Sequence, residues 1–234
     1  MPRDLRAGGS VTPYYEQDGI TIYHGDCREV LPGLSGISLV VTDPPYALGM
    51  NSIEGKVGWG DLMNSATFYA DWIRQCLALT VNRSGAVWVF TSWRAFPILA
   101  RASFEIPHKV ESLLVWDKCW IGPGGSVGLR PSYELVALFA HPAFQVSDRG
   151  TPDIWRVPYS SQREHGHPAE KPVPLMAQLI AASEGTGAIL DPFAGSGTTL
   201  QAAKDAGRSA IGIEIEERYC EIAAKRLAQQ VLPL

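Results

Sequence analysis

Two kinds of hydrophobic spacing alternate along the chain. Ile37 to Thr42 (ISLVVT) is a continuous apolar, β-branched run, as expected of a strand buried on both faces. Gly85 to Thr91 (GAVWVFT) repeats that signature. Shorter strands are predicted at Ile20–Tyr23, Ala188–Leu190 and Ser209–Ile213, and an antiparallel pair at Val110–Trp116 and Tyr133–Ala140. Helical spacing predicts helices at 66–79, 94–103, 198–206 and 216–230. A further helix is predicted at 174–183, with Pro174 in its first turn. Strands alternating with helices imply right-handed βαβ units and a mainly parallel sheet. Residues 47–64 are Gly-rich and read as a loop, and His141 to Lys171 is the least regular stretch.

The 234 residues suffice for one α/β domain with a full core, so 1–234 is read as a single domain. No apolar run reaches the ~18 residues of a membrane span, and the N-terminus lacks the apolar region of a secretory signal. Cys27, Cys76, Cys119 and Cys220 are scattered, which suits a reducing cytosol rather than a disulfide scaffold or a Cys-rich zinc site. His165 and His167 have no third ligand nearby in sequence, so no metal is expected. A net charge of −4 does not by itself announce a nucleic-acid partner, although the placement of Lys and Arg matters more than their total.

Two turns carry the chemistry. The first runs from the strand at 188–190 through Asp191-Pro192-Phe193-Ala194-Gly195-Ser196-Gly197 into the helix that Thr198 opens. Its glycines allow a tight turn and close approach of a ligand, and the helix start offers free N–H groups. Thr198 stands where a triphosphate-binding loop needs Lys, and Leu200 where a dinucleotide motif needs Gly. Glu214, ending the next strand, can accept hydrogen bonds from both hydroxyls of a ribose. An adenosine ligand without a pyrophosphate fits this set, and S-adenosylmethionine is such a ligand.

The second turn is Asp43-Pro44-Pro45-Tyr46, which ends the buried strand at 37–42. The prolines fix φ and make the turn rigid. Asp43 and the Pro44 carbonyl then offer two acceptors to one amino group, and Tyr46 offers a face on which its ring can stack. A base inside a duplex cannot reach such a clamp and would have to be turned out. Stacking on an aromatic face returns about 1–3 kcal/mol per base. Accepting both amine hydrogens favours a pyramidal nitrogen with a free lone pair, so in-line methyl transfer becomes a problem of positioning.

With the Asp-Pro-Pro-Tyr turn preceding Phe193-Ala-Gly-Ser-Gly197, the chain resembles the β class of DNA amino-methyltransferases. The resemblance runs from His24-Gly25-Asp26 to Arg226-Leu227. It implies a Rossmann-like S-adenosylmethionine-dependent methyltransferase fold, α/β, with a seven-stranded, mostly parallel sheet and one antiparallel strand. It implies methylation of N6 of adenine in double-stranded DNA by a cytoplasmic enzyme of bacterial or phage origin. N4 of cytosine, RNA or a protein amide are the alternatives. By the same resemblance, Asp43, Pro44, Pro45 and Tyr46 are catalytic. Asp26 would meet the cofactor's adenine amino group, and Lys171-Pro172 its methionine end. Asp191, Phe193 and the turn through Thr198 would line its pocket, and Glu214 would hold the ribose. The segment at about 141–169 is the expected target-recognition region. It is short, with Arg149, Arg156 and Arg163 balanced by Asp148, Asp153 and Glu164. A homodimer and a cognate restriction endonuclease are further expected partners.

Overall fold

The computed structural model describes residues 12–45, 66–80, 85–122, 127–159 and 170–229. In chain order the strands are β1 (Tyr15–Gln17), β2 (Ile20–His24), β3 (Ile37–Thr42), β4 (Ala86–Thr91), β5 (Val110–Asp117), β6 (Tyr133–Ala140), β7 (Ile154–Arg156), β8 (Ala188–Asp191) and β9 (Ala210–Glu214). The helices are α1 (Cys27–Val30), α2 (Ala66–Leu79), α3 (Phe96–Ala102), α4 (Val173–Ala181), α5 (Thr198–Asp205) and α6 (Glu217–Ala228). The strands form one sheet in the order β1-β2-β9-β8-β3-β4-β6-β5-β7.

The seven strands from β2 to β5 across this sheet are the expected ones, and β6 is the expected antiparallel strand among them. Two short strands extend it beyond that expectation. β1 pairs antiparallel with β2, and β7 pairs parallel with β5 through Val115–Ile154 to Asp117–Arg156. Both are three residues long. Neither is long enough to show a period of two, and their pairing comes from the neighbouring strand rather than from their own pattern.

Pleating sends alternate side chains to opposite faces. Along β4, Ala86, Trp88 and Phe90 enter a core roofed by α4, α5 and α6, through residues such as Leu179, Leu200 and Leu227. Val87 and Val89 enter the opposite core, built on α2 and α3 with Trp72, Ile73 and Leu99. β3 and β4 are buried at every residue, as their unbroken apolar runs require. Each such side chain taken from water contributes about 1.5–3 kcal/mol. Trp88 belongs to the core, where its Nε1 donates to Ser183 Oγ at 2.9 Å. Among the described residues no helix is long and apolar enough to cross a membrane.

Packing of β9 against α5 leaves no room at Gly212. A Cβ there would lie 2.7 Å from Leu200 Cδ1 and 2.9 Å from Ala194 Cβ. Gly212→Ala should therefore destabilise the fold by about 1–3 kcal/mol in urea titration; an unchanged midpoint would contradict this packing.

Candidate active site

Parallel strands deliver their carboxyl ends to one edge. In the order β2, β9, β8, β3 these ends carry Asp26, Glu214, Asp191 and Asp43. The two motif turns, far apart in sequence, thus become neighbours, because β3 pairs with β8 through Val40–Leu190. The contact is direct: Thr42 Oγ1 donates to Asp191 Oδ1 at 2.7 Å. The Phe193 N–H donates to the same oxygen at 3.1 Å.

Asp191 is buried, and burial pushes its carboxyl up to about 6 against the bonds from Thr42 and Phe193, with the nearby Asp43 charge adding to the rise. The Gly-rich turn follows. Gly195 and Gly197 have φ of 51° and 80°, the left-handed region that glycine adopts without strain. A Cβ on Gly197 would also lie 2.9 Å from Ala223 Cβ of α6. Arg226 of α6 secures the turn from behind. Its Nη1 meets Glu170 Oε1 at 2.7 Å, Thr198 Oγ1 at 3.2 Å and the Ser196 carbonyl at 3.4 Å.

Glu214 ends β9 with its carboxylate fixed by backbone donors, Gly195 N–H on Oε2 and Glu216 N–H on Oε1, each at 2.8 Å. Burial raises its carboxyl above the usual range. A carboxylate offers about four lone-pair sites, so these two bonds leave capacity for the vicinal hydroxyls of a ribose. Phe193 lies half-buried beside it, edge-on to Trp72 at 5.4 Å between ring centroids. The glycine turn, the anchored acid and the aromatic side chain fit an adenosine group. Asp26 has a local use that the sequence did not reveal. It caps α1, accepting from Arg28 N–H at 2.9 Å, and its carboxylate pairs with the Arg28 guanidinium. An adenine amino group would share that carboxylate with Arg28.

At the other turn, Pro44 is buried and Pro45 exposed. Tyr69 of α2 donates its hydroxyl to the Pro45 carbonyl at 3.2 Å. Burial, then the Asp43 charge, pushes that phenol up to about 12, so it remains a donor. Tyr46 lies outside the described residues, as do the 47–64 loop, His165, His167 and residues 160–169 of the expected recognition segment. Among the described residues no group of three or more His, Cys, Asp or Glu side chains could hold a metal ion.

Lys171, expected beside the methionine end of the cofactor, lies against the Asp43 turn. Only 7% exposed, it forms an ion pair with Asp43 Oδ2 and approaches Glu134 Oε2 at 3.4 Å. Its ammonium lies 5.3 Å from the centroid of the Phe90 ring. Burial works against its charge, but the carboxylates of Asp43 and Glu134 outweigh it and hold the group protonated. Glu134 and Tyr69 were missed because nothing local marks them; only the strand and helix packing brings them to the turn. Lys118 pairs with Glu134 inside this cluster.

The sequence pattern of the N6/N4 DNA methylase family matches residues 37–225, and the chain belongs to that family. The chain is similar to the type II methyltransferase M.ScaI of Streptomyces caespitosus, 28% identical, with 95% of this chain and 86% of that protein covered. It is also similar to the DNA adenine methyltransferase YhdJ of Escherichia coli (strain K12), 25% identical, with 88% and 82% covered. The crystal structure of M1.HpyAVI with S-adenosylmethionine superposes with a TM-score of 0.66 at 26% identity, covering 88% of this chain and 99% of that one. The chain is therefore an S-adenosylmethionine-dependent DNA methyltransferase, of the class that methylates exocyclic amino groups.

Asp191 gives a test of the site's electrostatics. Its folded-state value lies above the ordinary 3.8, so the folded state holds this proton more tightly than the unfolded state. The associated stability is present at low pH and lost as pH rises through about 6. Asp191→Asn should remove that loss. Its stability relative to the wild type should grow between about pH 4 and pH 7, by up to ~3 kcal/mol. A difference independent of pH in thermal melts would contradict the assignment.

Proposed function

We propose that this enzyme transfers a methyl group to N6 of adenine in double-stranded DNA, acting on a base turned out of the duplex. The observation that carries the reading is Asp43: a carboxylate at the end of a fully buried strand, held by Lys171 and adjoining the Gly-rich turn. N4-cytosine enzymes of this class more often have Ser at that position. The kinship with an adenine methyltransferase of Escherichia coli supports the same base.

Asp43 and the Pro44 carbonyl accept the two hydrogens of the amine and free its lone pair. Tyr46 stacks on the base. Tyr69, by bonding the Pro45 carbonyl, holds the turn rigid while the base enters. Lys171 steadies the Asp43 carboxylate, and an ammonium on one oxygen does not exclude an amine, since a carboxylate has several lone pairs. Asp26, Lys171-Pro172, the Asp191–Thr198 turn (with Pro192, Ala194 and Ser196) and Glu214 hold the cofactor. When bound, S-adenosylmethionine would supply a methyl group on a sulfonium, with the C–N bond forming as the S–C bond breaks and S-adenosylhomocysteine as the product. The amine then sheds one proton, which the Asp43 carboxylate can accept.

Incubation with unmethylated DNA, digestion and mass spectrometry of the nucleosides tests the base assignment. N6-methyladenine is the expected product; N4-methylcytosine would overturn the choice of base while keeping the site. Calorimetry tests the ribose role. Glu214→Gln, which keeps one oxygen, should weaken S-adenosylmethionine binding about tenfold, or ~1.4 kcal/mol. Unchanged affinity would remove Glu214 from that role.

A further inference from the structure

We propose that Glu134 is a positioning residue for methyl transfer: from β6 it shares Lys171 with Asp43 and so fixes the Asp43 carboxylate at the carboxyl edge of the sheet. The inference rests on reading Asp43 as the acceptor of the amine.

A buried ammonium needs compensation, and one carboxylate would supply it. Lys171 has two, Asp43 on the motif turn and Glu134 on β6. Glu134 is itself secured by Lys118, whose ammonium lies 5.3 Å from the Trp116 ring centroid and 5.6 Å from that of Tyr159. The result is a chain of alternating charge, Asp43, Lys171, Glu134, Lys118, with no net charge. Lysine is a point charge on a flexible four-carbon stem. With Asp43 as its sole anion, it could follow that carboxylate wherever the turn carried it. Glu134 sits on a strand paired to β4 through Thr91–Leu135 and to β5 through Trp116–Glu134, so it is a fixed anchor.

The arrangement also answers a charge problem. Positive charge develops on the amine as the methyl arrives, and a lone Lys171 beside Asp43 would oppose it. Glu134 offsets that ammonium without touching the base. Among the described residues, the groups facing Lys171 include the Asp43 turn, Glu134 of β6 and the Phe90 ring of β4. Asp191 and Tyr69 also feel the Asp43 charge.

The test is transfer of labelled methyl from saturating S-adenosylmethionine to DNA by Glu134→Gln, counted whatever the base. The expected result is a kcat lower by roughly a hundredfold, with the KM for DNA within about threefold of the wild type. Glu134→Asp should recover most of the rate. Losing one of its two carboxylates makes the Lys171 ammonium easier to deprotonate. The alkaline fall of kcat should therefore move to lower pH in Glu134→Gln. An unchanged kcat overturns the proposal. So does a lower kcat with an unchanged pH profile and no rescue by Asp, which marks a merely structural ion pair. If Glu134→Gln does not fold, Lys118→Met removes the outer anchor instead; it should lower kcat severalfold at constant KM, and a wild-type kcat there overturns the proposal. Absence of methyl transfer by the wild type would defeat the functional reading itself, whereas wild-type transfer matched by Glu134→Gln defeats only this inference.

Discussion

Pairing of β3 with β8 places the last residues of two buried strands side by side, and the candidate active site is a consequence of that register. It sets Thr42 against Asp191 at 2.7 Å and brings Asp43 next to the start of the Gly-rich turn. A shift by one residue would reverse which side chains face each core, so hydrophobic burial along both strands also fixes the distance between the two motifs. The geometry of the candidate site is thereby tied to the most strongly determined part of the fold, although both motifs lie in turns.

That geometry concentrates ionised groups where burial opposes them. Asp191 bears the cost in its raised carboxyl. Glu214 reduces it with two backbone N–H donors. Asp43 and Lys171 reduce it by pairing with each other, with Glu134 behind. Such buried ion pairs contribute little net stability compared with well-packed apolar groups. Their placement at one edge, around the two motif turns, fits a site in which orientation is retained at the expense of stability.

Most of the fold was legible from hydrophobic spacing. The unbroken apolar runs at 37–42 and 86–91 are the central strands, and the helix at 66–79 has the predicted bounds. β1 and β7 were not legible, because three-residue edge strands take their conformation from a partner. The four-residue α1, started by the Asp26 cap, was also missed. In the site, the two motifs and Glu214 could be read because strand, turn and helix follow one another locally. The partners Lys171–Asp43 and Lys171–Glu134 are separated by long stretches of chain, and no periodicity encodes them. Lys171 was noticed for its place in a resembling segment, while its contact with the Asp43 turn came only from the topology.

Asp43, held at the end of β3, is proposed to accept the amine that is methylated. The most direct measurement is single-turnover methyl transfer to DNA by Asp43→Ala, with S-adenosylmethionine affinity determined on the same sample. The expected result is a rate lower by roughly a hundredfold or more with cofactor affinity nearly unchanged. Transfer at the wild-type rate would contradict it.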